Sequence, residues 1–284
     1  NTNTLKPCPN IQGRWPVTDN SMLETLNSNQ WQAIRKNFIN GSCRSFSGCY
    51  SCAYTEKNQS DSIRMLNNKY FADALDTDVI DIVHNVIDND YRVDKIYSLD
   101  FFPSNYCNYS CIMCNSGASS SRAAFEIKLY GKKPLPVTNQ VDKDFYQILD
   151  GIEVINFTGG ETILQPQVHE LIDYLIAKDM AKNISVTMLT NVSSFPNSLI
   201  DKFKKFKRVD YTLSIDGTDK VIEYQRRGAN WDTVQENAIK INQNFGAVVN
   251  HVITAVNVFN FVKLVEWFHK HNFDLVILSL ENTT

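Results

Sequence analysis

No stretch of this chain holds enough consecutive apolar residues to cross a bilayer, and its polar opening, Asn1–Asn3, does not look like a signal peptide. The sequence therefore predicts a cytoplasmic protein with no membrane partner. An excess of charge of one sign is also missing. With 28 basic and 31 acidic residues the net charge is only −3, which leaves no electrostatic case for a nucleic-acid groove. The chain lacks an initiator Met, so an excerpt of a longer protein is expected. Glycine is scarce in the first ninety residues, where only Gly13, Gly41 and Gly48 occur, and no repeating strand pattern is present there. That region reads as loops and helices.

What the chain does have is 43% apolar residues over 284 positions, enough to fill a sizeable core. It also has seven cysteines, an odd number without secretory marks, which makes a disulfide framework the weaker reading. Cys107, Cys111 and Cys114 share one short segment, whereas Cys43, Cys49 and Cys52 cluster upstream, with Cys8 nearer the start. The texture divides the chain at the same level, into a small metal-stapled module over residues 1–92 and a larger domain over 93–284. Within the module, Ser28–Ile39 and Val79–Ile87 have the spacing of helices.

From about Asp94, short apolar runs alternate with helix-like stretches, the mark of βα units around a parallel sheet. The runs are Ile96–Phe102, Ile152–Phe157, Ile184–Leu189, Val209–Ile215, Val248–Val256 and Leu275–Leu280, each read as a strand buried on both faces. Lys143–Leu149, Gln167–Asp179, Ser198–Lys205, Trp231–Phe245 and Val262–His271 read as crossover helices. Periodicity leaves open whether the strands curl into a partial barrel or form a doubly wound sheet. Either way the chemistry belongs at the strand C-terminal ends. Polar groups follow the strands there: the cysteines, then Thr158-Gly159-Gly160-Glu161, Thr190-Asn191 and Asp216-Gly217.

The spacing C-x3-C-x2-C at Cys107, Cys111 and Cys114 puts three soft thiolates on one loop with no fourth Cys or His inside it. Three protein ligands with one open position suit a reactive metal site. On spacing alone a zinc site completed by a distant residue such as His84 also stays open.

The loop resembles the signature of radical S-adenosylmethionine enzymes, in which three cysteines bind a 4Fe–4S cluster. The resemblance covers nearly the whole chain and implies an α/β fold, a partial (β/α)6 TIM-like barrel with a small N-terminal iron–sulfur module. It implies that Cys107, Cys111 and Cys114 ligate the cluster and that S-adenosyl-L-methionine occupies the open iron. An electron entering its sulfonium releases a 5′-deoxyadenosyl radical that abstracts hydrogen from a substrate, so an electron donor such as flavodoxin or ferredoxin is implied as a partner. Met113 stands where the family usually has an aromatic residue near the adenine. Gly159, Gly160 and Glu161 resemble the Gly-Gly-Glu element that binds the cofactor's amino group. Ser214 resembles the ribose contact and Arg226, or alternatively Arg227, the carboxylate clamp. Asn191 and Asn257 match strand-end polar positions near the cofactor or substrate.

Upstream, Cys43, Cys49 and Cys52, with Trp31–Arg35 and Ser62-Ile63-Arg64, resemble a twitch or SPASM module holding a second, auxiliary 4Fe–4S cluster, with Cys8 left as fourth ligand. Four cysteines could hold zinc instead. The module usually follows the barrel and here precedes it. Such modules accompany enzymes that modify peptides or proteins, which makes a peptidyl substrate the first expectation and a small metabolite the second. The rival class is a non-catalytic zinc or iron–sulfur binding module. Tyr224, Glu223 and Asp216 are as readily structural as catalytic, so no acid, base or radical relay is assigned.

Overall fold

The computed structural model describes residues 4–8, 11, 15–17, 21–41, 49–131, 141 and 143–278. All six apolar runs become strands: β1 (Ser98–Phe101), β2 (Val154–Phe157), β3 (Ser185–Thr190), β4 (Arg208–Ser214), β5 (Ala247–Val252) and β6 (Asp274–Leu278). The sheet order is β6-β5-β4-β3-β2-β1, so every strand lies beside its neighbour in sequence. A doubly wound sheet reverses direction at a switch point. This order has none, and it settles the architecture as a partial barrel of the (β/α)6 kind. The pairings from β3 to β6 are parallel, with Ser185 opposite Arg208, Tyr211 opposite Ala247 and Asp274 opposite Val248. The predicted fifth strand stops at Val252 instead of Val256, because Asn257 folds the chain back: its Nδ2 donates to the Val252 carbonyl at 2.7 Å and its Oδ1 accepts from the Thr254 amide at 2.7 Å.

Strands β3 to β5 differ from the expected burial on both faces, whereas in β2 the adjacent Val154 and Ile155 are both buried. Val186 and Met188, Tyr211 and Leu213, and Val249 and His251 point one way and are buried. The alternate positions Thr187, Leu189, Thr212, Ser214 and Asn250 are partly exposed. The buried face is the one the helices cover, since Phe203, Phe245 and Phe261 meet Tyr211 and His251 there. The helices therefore cover one face of the sheet and leave the more polar face turned away from them.

Cα proximity separates two compact units, Asn1–Leu99 with Val141–Val154, and Asp100–Gln140 with Ile155–Thr284. In the first unit, helices α1 (Met22–Leu26), α2 (Asn29–Ile39), α3 (Cys49–Lys57), α4 (Ile63–Ala74) and α5 (Val79–Asp88) follow one another. Side-chain caps start three of them: Ser21 accepts from the Glu24 amide, Ser62 from Met65 and Asp78 from Ile80. Glu56 of α3 binds Arg64 of α4 at 2.5 Å and accepts from Ser62 Oγ at 2.6 Å, which joins the two helices. Lys143–Leu149 is a 3-10 helix.

In the second unit the crossovers are α6 (Ser120–Tyr130), α7 (Pro166–Ala177), α8 (Asn197–Phe203), α9 (Asp219–Gln225), α10 (Trp231–Phe245) and α11 (Phe261–His271). Pro166 starts α7 where a missing N–H costs nothing, and Asn230 caps α10 by accepting from Thr233 N at 2.9 Å. Phe203 lies fully buried among Phe206, Tyr211 and Phe245, with ring centroids 5.8–6.3 Å away. Phe203→Ala is expected to cost about 3–5 kcal/mol through the cavity it leaves, read as a lower urea midpoint at unchanged slope. No helix among the described residues is long and apolar enough to cross a membrane.

Candidate functional site

The segment after β1 carries the three cysteines, and serines at the start of α6 shape it. Ser121 Oγ donates to the Cys107 carbonyl at 2.7 Å, Ser119 Oγ donates to the Tyr109 carbonyl at 2.7 Å, and Ser120 Oγ accepts from the Cys107 amide at 3.1 Å. Ser119 also caps α6 by accepting from the Arg122 amide. The sequence reading missed these three hydroxyls. Their signal was a serine run directly before a helical stretch. Cys107, Tyr109 and Cys111 form a buried cluster, with Met113 and the half-buried Cys114 packed against it.

The second loop is brought to the first by backbone contact. Gly160 N donates to the Ser104 carbonyl at 3.2 Å and Glu161 N donates to the Tyr106 carbonyl at 2.7 Å. Gly160 leaves no room for a side chain, since a Cβ there would lie 2.1 Å from the Tyr106 oxygen. Gly159 has φ +134°, and its Cβ would meet Gln165 and the Ser104 carbonyl. The close approach that these paired glycines permit is to the chain's own cysteine loop.

Glu161, only 1% exposed, is engaged by the protein on both oxygens. Oε1 accepts from Thr190 Oγ1 at 2.6 Å and from the Ile163 amide at 3.3 Å, while Oε2 accepts from the Asn191 amide at 2.6 Å. Burial pushes its carboxyl above the usual range, against the pull of these donors. Asn191 in turn reaches the cysteine loop: its Nδ2 donates to Asn108 Oδ1 at 3.0 Å and lies 3.8 Å from Cys107 Sγ.

From the far side, Ser110 and Cys111 pair antiparallel with Arg227 and Arg226. The Arg226 guanidinium lies 2.6 Å from the fully buried Asp216 carboxylate and 4.0 Å from Cys111 Sγ. Asp216 also accepts from the Val252 amide at 2.8 Å. Arg227 is exposed and lies over the Phe125 ring at 4.9 Å. Asn257 is fully buried and spans two strand ends, since its Nδ2 donates to the Asp216 and Val252 carbonyls. Ser214 ends β4 on the partly exposed face.

The donor set fits an iron–sulfur cluster. Tyr109 N donates to Cys107 Sγ at 3.4 Å, and Asn191 and Arg226 present N–H groups to Cys107 and Cys111, the kind of donors to sulfur that tune cluster potential. Among the described residues no group of three His, Cys, Asp or Glu converges on a point that would hold a single ion. A four-iron cube asks for a different arrangement, with each thiolate on its own iron. Burial pushes the Cys111 thiol up to about 11 while Arg226 pulls it down, and it also raises Cys107 and Cys114. A cluster bound through these thiolates would therefore release protons as it assembled.

In the first unit, Cys49 and Cys52 are buried on the first turn of α3, and Cys49 packs with Ile11, Cys8 and Phe38. The remaining predicted ligand, Cys43, lies outside the described residues, and His84 is exposed on α5.

A profile of the Radical SAM superfamily matches residues 101–274, more than half of the chain. A search of curated proteins returns no match. Among solved structures, anSMEcpe with bound AdoMet and the Kp18Cys peptide shares 18% identity at a TM-score of 0.50, over 65% of this chain and 51% of that one. Streptococcus suis SuiB bound to precursor peptide SuiA shares 17% identity at a TM-score of 0.49, over 95% and 58%. The chain thus spans little more than half the length of these structures, and at such identities the likeness is one of fold.

Proposed function

The chain belongs to the radical SAM superfamily, an enzyme family whose cofactors are a 4Fe–4S cluster and S-adenosylmethionine, and from that membership we propose that it abstracts hydrogen from a peptide or protein substrate. The observation that carries the proposal is the loop of Cys107, Cys111 and Cys114, with two thiols buried, one half-buried and donors directed at the sulfurs of Cys107 and Cys111. These three would ligate the cluster. When bound, the cluster and S-adenosylmethionine would together supply one-electron reductive chemistry that ends in hydrogen abstraction from the substrate. Met113, Gly159, Gly160, Asn191 and Ser214 would border the cofactor. Glu161 and Asn257 would serve it through the strand-end loops they hold together. The sheet's polar face, carrying Thr212, Ser214 and Asn250, would admit the substrate.

The peptidyl substrate is proposed on the fold likeness to anSMEcpe, which is solved with a peptide bound. Residues 1–92 would form the auxiliary cluster module, with Cys8, Cys43, Cys49 and Cys52 as ligands, and residues 93–284 the catalytic barrel. A flavodoxin or ferredoxin would deliver the electron.

Anaerobic loading with iron and sulfide tests this directly. A brown protein with about eight irons is expected if both sites hold four-iron clusters, and dithionite with S-adenosylmethionine should release 5′-deoxyadenosine. A colourless protein that takes up zinc and releases none would overturn the reading. Cys49→Ala is expected to lower the iron content by about half and to leave some uncoupled cofactor cleavage. Equal loss of cleavage in Cys49→Ala and in the loop variants would instead make the upstream site a folding requirement.

A further inference from the structure

The segment Gln225–Gly228 runs along the cysteine loop as a strap. The Ile112 amide donates to the Gln225 carbonyl at 2.9 Å, and Cys111 and Arg226 face each other in an antiparallel pair. Gly228 takes φ +105° where a Cβ would lie 3.1 Å from the Asn108 carbonyl, so the strap can lie flat against the loop. The same strap carries the guanidinium that meets both Asp216 and Cys111 Sγ.

Asp216 is a fully buried carboxylate. If Arg226 swung away, that charge would be left without a counter-ion in a site closed to water, which is strongly unfavourable. The guanidinium is therefore pinned in place by one anion, and its remaining reach is toward the sulfur of Cys111. A second basic residue is at hand in Arg227, but its guanidinium is stationed on Phe125 at the surface.

We propose that Arg226 is a positioning residue of the cluster loop: held by Asp216, it keeps a fixed positive charge beside Cys111 and so eases one-electron reduction of the cluster. This assignment rests on the reading of Cys107, Cys111 and Cys114 as cluster ligands. Its physical basis is that the reduced cluster carries one more negative charge than the oxidised cluster, and a nearby cation in a buried setting stabilises the more negative form. Neutralising the pair therefore shifts the equilibrium toward the oxidised cluster.

The test is an EPR-monitored redox titration of anaerobically loaded, full-length protein, following the reduced-cluster signal that changes when S-adenosylmethionine is added. Arg226→Lys keeps the charge, whereas the double variant Arg226→Gln/Asp216→Asn keeps hydrogen-bonding partners and removes both charges. The expected result is a wild-type midpoint in Arg226→Lys and, in the double variant, at least a tenfold lower ratio of reduced to oxidised cluster at fixed potential. That ratio corresponds to about 59 mV for one electron. A wild-type midpoint in the double variant overturns the proposal. Should the double variant fail to retain the cluster, Asp216→Asn decides, since it leaves the guanidinium charge without its counter-ion: a raised midpoint supports the charge effect and a wild-type one overturns it. A wild-type protein with no signal responsive to S-adenosylmethionine would count against the functional reading itself, which keeps the two failures apart.

Discussion

Cys111→Ala is expected to bring release of 5′-deoxyadenosine down to the level seen without enzyme, a loss of at least about three orders of magnitude, or ~4 kcal/mol in barrier. Ligand count sets the size of this loss. A loop that offers three thiols has no spare donor, and Cys111 is the buried middle one, between Cys107 and Cys114. Folding should survive, because Cys111 pairs with Arg226 through the backbone, which alanine retains, and the volume lost is small. The variant is therefore expected to unfold within about 1 kcal/mol of the parent while holding about four fewer irons. The measurement is anaerobic iron analysis beside product quantification by chromatography. Cofactor cleavage at the parent's rate in a folded Cys111→Ala protein would remove this loop from the chemistry.

The parts of the molecule legible in the sequence are those whose signal is local. The strands show as apolar runs because most of the helix-facing residues of β3 to β5, Val186, Met188, Tyr211, Leu213 and Val249, are apolar, and α7, α10 and α11 show because each repeats apolar residues on one face. Helix α6 escaped notice because Ser120–Tyr130 begins with polar residues and has only a weak apolar stripe. Helix α3 was hidden because two of its buried positions are the cysteines Cys49 and Cys52, read as ligands and not as core. The cysteine loop was fully legible, since its spacing is contiguous.

Its surroundings were not. Asp216 and Arg226 are ten residues apart on either side of α9, and their pairing depends on how that helix turns. Likewise nothing local in Thr158–Glu161 announces that Glu161 will be engaged by Thr190 and Asn191 at the end of the next strand. Resemblance supplied the position of each residue but not its partners. Those follow from the sheet order, which puts the ends of β2, β3 and β4 side by side.

Gly160→Ala carries the second large effect, and it separates a turn glycine from one fixed by packing. An added Cβ would lie 2.1 Å from the Tyr106 oxygen, 2.4 Å from its carbonyl carbon and 2.6 Å from the Asn105 oxygen. All three atoms are backbone, so no flexible side chain can yield. The loops must part, and parting breaks the bonds from Gly160 N to Ser104 and from Glu161 N to Tyr106. Two buried hydrogen bonds and the overpacking together amount to about 3 kcal/mol. Because Tyr106 directly precedes Cys107, the first thiol moves with the loop, and iron retention is expected to fall along with stability. Gly131→Ala is the control. That residue ends α6 at φ +65° with nothing within 4 Å of a Cβ, so its cost is backbone strain alone, about 1 kcal/mol, with iron content unchanged. Chemical unfolding and iron release to a chelator measure both variants. A Gly160→Ala protein that holds its iron and unfolds with the parent would show that the two loops do not depend on this contact.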